Sequence, residues 1–312
     1  MVVLKRTIVV GSRQSRLAMV QTHWVIEQLK GLGLPYQFEI KPIVTKGDQI
    51  VDRMLSKVGG KGLFVKEIEQ ALLTGEIDCA VHSAKDMPGE LPPGLMLACL
   101  PEREDPRDCL ISNGGSSLKE LPQGAVVGTS SLRRTAQLLK LRPDLKIKWI
   151  RGNIDTRLRK LKEEGYDAII LAAAGLKRLG YTEQISQYLE TETFLPAVGQ
   201  GALAIECRSD DDELKEILSQ INHEPTARCV TAEREFLKEM GGSCHVPVAC
   251  FGSERADELQ LTGLIASSDG KRILKASLTG RDPHQLGRLL ADQLKAQGGD
   301  KILAEVKREL GL

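Results

Sequence analysis

No stretch of this 312-residue chain approaches the ~20 consecutive apolar residues that would cross a bilayer. Charge of one sign is also missing. The 43 Lys+Arg and 42 Asp+Glu leave a net charge of +1. That balance excludes a protein whose whole surface is built for nucleic acid or a membrane, although it hides any local clustering. Residues 1–7 show no apolar leader with a cleavage site, so a cytoplasmic location is expected. The seven cysteines are odd in number and contain no Cys-x-x-Cys pair. This argues against a disulfide framework or a structural zinc site, and no metal is expected. The glycine-rich stretch Val58-Gly-Gly-Lys-Gly-Leu-Phe64 lacks the GxxxxGK[ST] spacing of a phosphate loop. Repeats and low-complexity segments are absent as well.

With 41% hydrophobic and 27% charged residues, the chain is globular and long enough for two or three domains. Strand-like apolar runs fall at 7–10, 38–44, 78–81, 95–100, 109–112, 125–128, 146–150, 168–171 and 203–206. Helical periodicity falls between them at 16–29, 64–73, 132–139, 156–163 and 213–221. Such alternation predicts βαβ units and mostly parallel sheets. Cys79, Cys99, Cys109 and Cys207 lie in these runs and are expected to be small core residues. Two stretches read as crossings between domains: 101–107, charged and Pro-bounded, and 195–201, rich in Gly and Pro. The chain is therefore expected to leave a first lobe (1–101 and 202–221), build a second (107–195), and return. Two α/β lobes on a double hinge enclose a cleft whose strand ends are the default ligand site. Beyond about residue 223 the pattern changes. Helices are expected at 226–238, 283–296 and 301–309, with strands at 246–251, 259–266 and 272–279, giving a smaller α+β domain over 224–312.

Several strand ends are basic and hydroxyl-rich. Val10-Gly-Ser-Arg-Gln-Ser-Arg16, Val127-Gly-Thr-Ser-Ser-Leu-Arg-Arg134 and Ile150-Arg-Gly-Asn-Ile-Asp-Thr-Arg157 each follow a strand and open a helix. Free N–H groups and the helix dipole favour an anion there, although Ser and Thr at such positions are also ordinary N-caps. Arginine suits bidentate recognition of carboxylate or phosphate. Arg13, Arg133, Arg134, Arg151, Arg157 and Arg178 would together suit a ligand with many carboxylates, whereas Arg16, Arg159 and Lys160 read as solvated helix faces. Lys61 reads as part of a plain loop or of a flap reaching an anion. The stretch Val81-His-Ser-Ala-Lys-Asp-Met-Pro88 places Asp86 at a strand end, either as a surface charge or as a carboxylate able to stabilise a cation and move protons. In Gly241-Gly-Ser-Cys-His-Val-Pro247 the glycines put Cys244 on a loop, where a thiol invites covalent attachment.

Together, in this order, GSRQS, VGGKGLFVKEIE, AVHSAKDMP, EREDPRD, VGTSSLRR, RGNIDTRL, DAIILAAAGLKRLG, LPAVGQGA and GGSCHVP resemble the porphobilinogen deaminase family over essentially the whole chain. One departure is Ser243, where the residue before the cysteine is often Gly. The resemblance implies two lobes like those of type II periplasmic binding proteins and a third domain carrying the cysteine. It implies a dipyrromethane cofactor joined to Cys244 Sγ by a thioether. Porphobilinogen is the implied substrate, added four times with loss of ammonia before hydrolysis releases hydroxymethylbilane. Each pyrrole carries an acetate and a propionate, which accounts for arginines at several strand ends despite a neutral chain. Loss of ammonia leaves an electron-poor azafulvene, and Asp86 matches the family's catalytic aspartate. Ser83, Lys85, Thr129, Ser131, Arg133, Arg134 and Arg157 are implied to hold cofactor acids. Arg13, Arg151 and Arg178, with Ser15, Lys61 and Gln200, are implied to meet substrate or growing chain. A monomer is expected, with no nucleic-acid or membrane partner. The competing expectation is a non-catalytic cytoplasmic two-lobed binder of a small anion, which leaves Cys244 and Asp86 unexplained.

Overall fold

The apolar runs become strands, those at the sheet centres buried on both faces, and the amphipathic stretches become the helices that cover them. A computed structural model describes residues 5–49, 65–241, 246–255 and 258–311. In chain order its strands are β1 (Arg6–Arg13), β2 (Tyr36–Ile43), β3 (Cys79–Ser83), β4 (Leu95–Cys99), β5 (Asp108–Ser112), β6 (Val126–Gly128), β7 (Lys146–Lys148), β8 (Ala168–Ala172), β9 (Gln187–Leu189), β10 (Leu203–Arg208), β11 (Val248–Arg255), β12 (Glu258–Ala266) and β13 (Ile273–Gly280). The chain forms two compact units. The first holds the described residues up to Glu104 together with Ala202–Ala227, and the second holds Asp105–Gly201 together with the residues from Arg228 onward.

The first unit is a five-stranded sheet of order β2-β1-β3-β10-β4. One face carries Ile8, Val10, Val81, Leu203 and Ile205 against Val25, Ile26 and Leu29 of helix Arg16–Gly31 and Leu214, Ile217 and Leu218 of helix Asp212–Ser219. The other face is covered by helix Lys66–Leu73, whose Ile68 and Leu72 pack with Ile77 and Ala80. The second unit contains a five-stranded sheet of order β7-β6-β8-β5-β9 and a three-stranded antiparallel sheet, β11-β12-β13. Helices Glu224–Glu239, Pro283–Ala296 and Gly299–Leu310 pack on the small sheet around Phe236, Leu261, Ile265, Leu290 and Leu303.

The two five-stranded sheets repeat one order and are mixed, not mostly parallel. β1 pairs parallel with β2 and β3, whereas β10 runs antiparallel to both β3 and β4. Likewise β6 pairs parallel with β7 and β8, whereas β5 runs antiparallel to β8 and β9. Only strands joined by a helix crossover within one sheet are held parallel. β10 and β5 each enter their sheet just after a unit boundary, so nothing fixes them to that direction. Two further elements, β9 and helix Ala173–Arg178, lie outside the expected runs. Cys79, Cys99, Cys109 and Cys207 are all buried, as their apolar settings imply. Among the described residues no helix is long and apolar enough to cross a membrane.

Candidate functional site

In the first unit, β3 delivers a short polar turn. Its last residue, Ser83, exchanges hydrogen bonds with the Gln21 amide: Gln21 Nε2 donates to Ser83 Oγ at 3.1 Å, and Ser83 Oγ lies 3.3 Å from Gln21 Oε1. The next three residues, Ala84–Asp86, form a single 3-10 turn, pinned where Ala84 N donates to Ala202 O at 3.0 Å. Ala84 and Met87 are buried, so the turn is anchored by apolar side chains on either side of Lys85 and Asp86. Lys85 is half-buried and Asp86 is exposed. At the end of β1, Arg13 is half-buried, and Ser15 caps helix Arg16–Gly31 by accepting from Ala18 N at 3.3 Å.

In the second unit, Arg133 and Arg134 open helix Leu132–Leu141 and converge on Asp108 at the start of β5. Arg133 Nη1 donates to Asp108 Oδ2 at 2.6 Å and to Leu195 O at 2.7 Å. Arg134 donates from Nε and Nη2 to Asp108 Oδ1 at 2.9 and 2.7 Å, and from Nη1 to Ile170 O at 2.9 Å. Asp108 is fully buried. Burial alone pushes its carboxyl up, but the two guanidiniums outweigh this and hold it well below the usual carboxylate range. A guanidinium has five N–H donors. Among the described residues these contacts occupy two of those donors on Arg133 and three on Arg134, both of which are buried.

The hydroxyls nearby are caps as well as candidates. Ser131 Oγ accepts from Arg134 N at 3.4 Å, and Thr129 Oγ1 accepts from Ser131 N at 3.2 Å. Accepting leaves each O–H hydrogen available to donate, so the capping and binding readings are compatible. Asn153 caps helix Ile154–Glu163, and Arg157 on its first turn donates from Nε to Gly152 O at 2.8 Å. Arg151 is half-buried, and burial pulls its guanidinium down. Arg178 closes helix Ala173–Arg178 and donates from Nη2 to Gly201 O at 2.8 Å.

Gln200 also bears on Asp108. It is fully buried, and its Nε2 donates to Pro106 O at 2.8 Å and to Asp108 Oδ1 at 3.1 Å. Its amide thus supports Asp108. Lys61 and Cys244 lie outside the described residues. Asp108 was not singled out from sequence. The available signal was a carboxylate opening an otherwise apolar strand, Asp108-Cys-Leu-Ile-Ser112. Gln21, which holds Ser83, gave no signal on its amphipathic helix.

These features define an α/β protein with a repeated mixed-sheet topology. Each unit carries its own arginine and hydroxyl donors for carboxylates, and the first adds an exposed acid. Within each unit taken by itself, donors of this kind suit the carboxylates of a group such as a dipyrromethane.

The family model described as porphobilinogen deaminase, dipyromethane cofactor binding domain, matches residues 8–216. The model of the porphobilinogen deaminase C-terminal domain matches residues 227–296. Porphobilinogen deaminase of Bacillus pumilus (strain SAFR-032) is 60% identical over 307 residues, 98% of this chain and 99% of its own. That of Bacillus subtilis (strain 168) is 60% identical over 309 residues, 98% of each. The chain belongs to the porphobilinogen deaminase family. Among solved structures it is similar to the methionine binding protein MetQ, with 14% identity, a TM-score of 0.45, and 73% of this chain and 94% of that one covered. It is likewise similar to a periplasmic substrate-binding protein of an ABC transporter from Coxiella burnetii, with 16% identity, a TM-score of 0.43, and coverage of 75% and 97%.

Proposed function

We propose that this chain deaminates porphobilinogen and joins four of the resulting units head to tail onto a dipyrromethane held by a thioether at Cys244, then releases hydroxymethylbilane by hydrolysis. The observation that carries this reading is Asp86: an exposed carboxylate on a pinned turn, in a chain whose other strand ends present arginines and hydroxyls. When bound, the dipyrromethane supplies the pyrrole carbon onto which the first unit is joined.

Asp86 acts on the incoming porphobilinogen. The aminomethyl C–N bond breaks and ammonia leaves. The carboxylate offsets the positive charge that develops on the pyrrole nitrogen and helps move the proton to the departing amine. A carbon–carbon bond then forms, and the attacking ring carbon loses its proton. A guanidinium in place of Asp86 would repel the developing cation, which is why an acid stands among basic groups. Ser83, Lys85, Thr129, Ser131, Arg133, Arg134 and Arg157 hold the acetate and propionate groups of the cofactor. Arg13, Ser15, Lys61, Arg151 and Arg178 receive those of substrate and growing chain. Gln200 serves through Asp108 by keeping the arginine pair in place.

The working unit is a monomer in the cytoplasm with three domains: 1–101 with 202–221, 107–195, and 224–312. Its partner is the small molecule alone, without nucleic acid or membrane, consistent with a net charge of +1.

Intact mass tests the reading. The purified protein is expected to exceed its polypeptide mass by two porphobilinogen units less their ammonia, and Cys244→Ser is expected to lose that excess. Asp86→Asn should keep the excess and lose turnover. Bare mass that gains nothing on incubation with porphobilinogen would leave an anion binder, and normal turnover by Asp86→Asn would remove Asp86 from the chemistry.

A further inference from the structure

Behind the Asp86 turn, the first unit buries three titratable side chains that the proposed reaction does not use. In the antiparallel pair of β3 and β10, Ala204 stands opposite His82 and Glu206 opposite Ala80. His82 and Glu206 are therefore diagonal neighbours on one face. His82 Nε2 lies 3.0 Å from Glu206 Oε2, with the side chains 3% and 0% exposed. Helix Lys66–Leu73 covers that face and brings Glu69, itself only 8% exposed. Among the described residues neither Glu69 Oε1 nor Glu206 Oε1 has a hydrogen-bond partner. The pairing of β10 with β4 shifts register between Ile205 and Glu206, with Cys99 opposite one and Leu97 opposite the other. Such irregularities re-aim side chains near functional sites.

Leaving a buried polar atom unpaired costs about 1–3 kcal/mol, so keeping two such carboxyl oxygens calls for a reason. Two carboxyls and one imidazole are neutral together only when two protons are shared among them. Burial pushes the Glu69 carboxyl up and the Glu206 charge adds to that, while His82 and Lys66 pull the other way. Among the described residues the charged and titratable groups that bear on Glu69 are thus Lys66 on its own helix, His82 on β3 and Glu206 on β10.

We propose that the buried contact of His82 with Glu206, covered by Glu69 on the helix above, forms a polar cluster that fixes the position of the Ser83–Asp86 turn, and that His82 is a positioning residue for Asp86. His82 is the last buried residue of β3, and Ser83 follows it into the turn. The turn has ties to Ala202 and Gln21, but its root on the strand is His82. Taking away either partner of the His82–Glu206 contact leaves the other as an unmatched polar group buried between helix and sheet, and relieving it requires β3 or the helix to shift. The Asp86 carboxylate, four residues on, then leaves its working position.

This inference rests on the proposed role of Asp86, and the test separates the two. kcat and KM for porphobilinogen are measured between about pH 6 and 9, where histidine-linked clusters titrate, for the cofactor-loaded protein, His82→Asn, His82→Gln, Glu206→Gln and the double variant His82→Asn/Glu206→Gln. Each single variant is expected to lose about tenfold in kcat with KM within about twofold, the double variant losing no more than the worse single one. The pH dependence of kcat is expected to change in all of them, while intact mass shows the same cofactor excess. Unchanged kcat and pH profile, with only the melting temperature lowered, would overturn the proposal by making the cluster merely structural. So would losses that add in the double variant. Asp86→Asn in the same series tests the parent reading alone. Its outcome does not alter whether the kcat losses of His82→Asn and Glu206→Gln are coupled in the cycle.

Discussion

Arg134 and Asp108 meet through two nitrogens, Nε and Nη2, that donate to one carboxylate oxygen at 2.9 and 2.7 Å, while Arg133 takes the other oxygen at 2.6 Å. One buried acid thus aligns two buried bases. Removing it strands both guanidiniums, so Asp108→Ala is expected to cost about 3–5 kcal/mol in urea unfolding. Asp108→Asn retains shape but not charge. The Asp108 carboxyl is held below its ordinary value when folded, so its stabilisation is complete above the unfolded pKa and is lost as pH falls through the folded one. The stability gap between the protein and Asp108→Asn should therefore stay constant from neutral pH to about pH 4 and shrink only in stronger acid. A gap that closes between pH 8 and 6 would show that another group controls it.

The thiols give a simple count. Among the described residues six cysteines are buried and form no disulfide: Cys79, Cys99, Cys109, Cys207, Cys229 and Cys250. Burial pushes Cys99 and Cys109 up to about 12 and Cys207 up to about 11, so at pH 8 these are essentially all thiol, not thiolate. The native, cofactor-loaded protein is expected to resist a thiol reagent at pH 8. In denaturant it should release six reactive thiols, with the seventh, Cys244, carrying the cofactor. Seven after denaturation would mean an unloaded chain, and rapid native labelling of any of the six would contradict their burial.

The α/β alternation was legible because strands buried on both faces read as unbroken apolar runs. The antiparallel course of β5 and β10 was not, since direction is set by where the chain re-enters a sheet. Nor was β9, whose three residues Gln187–Leu189 carry no alternation. Helix Ala173–Arg178 begins Ala-Ala-Gly and merges with the apolar strand before it. At the site, the basic junctions and Asp86 stood out by residue type. The acids that organise them did not, because their partners are remote: Asp108 lies 25 and 26 residues from its arginines, and Glu206 lies 124 from His82.

Gly152 carries a second test of how the arginines are held. Its φ is +117°, and a Cβ there would come within 2.5 Å of Thr156 Cγ2. Its carbonyl accepts from Arg157 Nε, next to the Asn153 cap. Gly152→Ala is expected to cost about 1–3 kcal/mol in strain and to displace Arg157, lowering the fraction of chains that carry the cofactor by intact mass. Gly165→Ala is the control: its φ is +68° and nothing lies within 4 Å of the added carbon. It should lose some stability and keep its cofactor. Equal cofactor loss in both variants would assign the effect to instability and not to Arg157.

Glu69 carries a pH prediction independent of turnover. Burial comes first among the causes that raise its carboxyl above the ordinary value, and the neighbouring charge of Glu206 adds to it. A group raised in the folded state contributes its full stability below the unfolded pKa and loses it as pH rises through the folded value. Ionising Glu69 therefore weakens the folded protein above that point, and glutamine, which cannot ionise, escapes the loss. Near pH 4, where Glu69 is largely protonated in either state, Glu69→Gln and the unaltered chain should melt within about a degree or two of each other. At pH 8 the variant should melt higher, and the difference should grow monotonically between the two. A variant that melts lower at pH 8 than the unaltered chain would mean that the Glu69 carboxylate is stabilised when charged, and that the buried acid beside His82 and Glu206 is not the destabilising ion its surroundings imply.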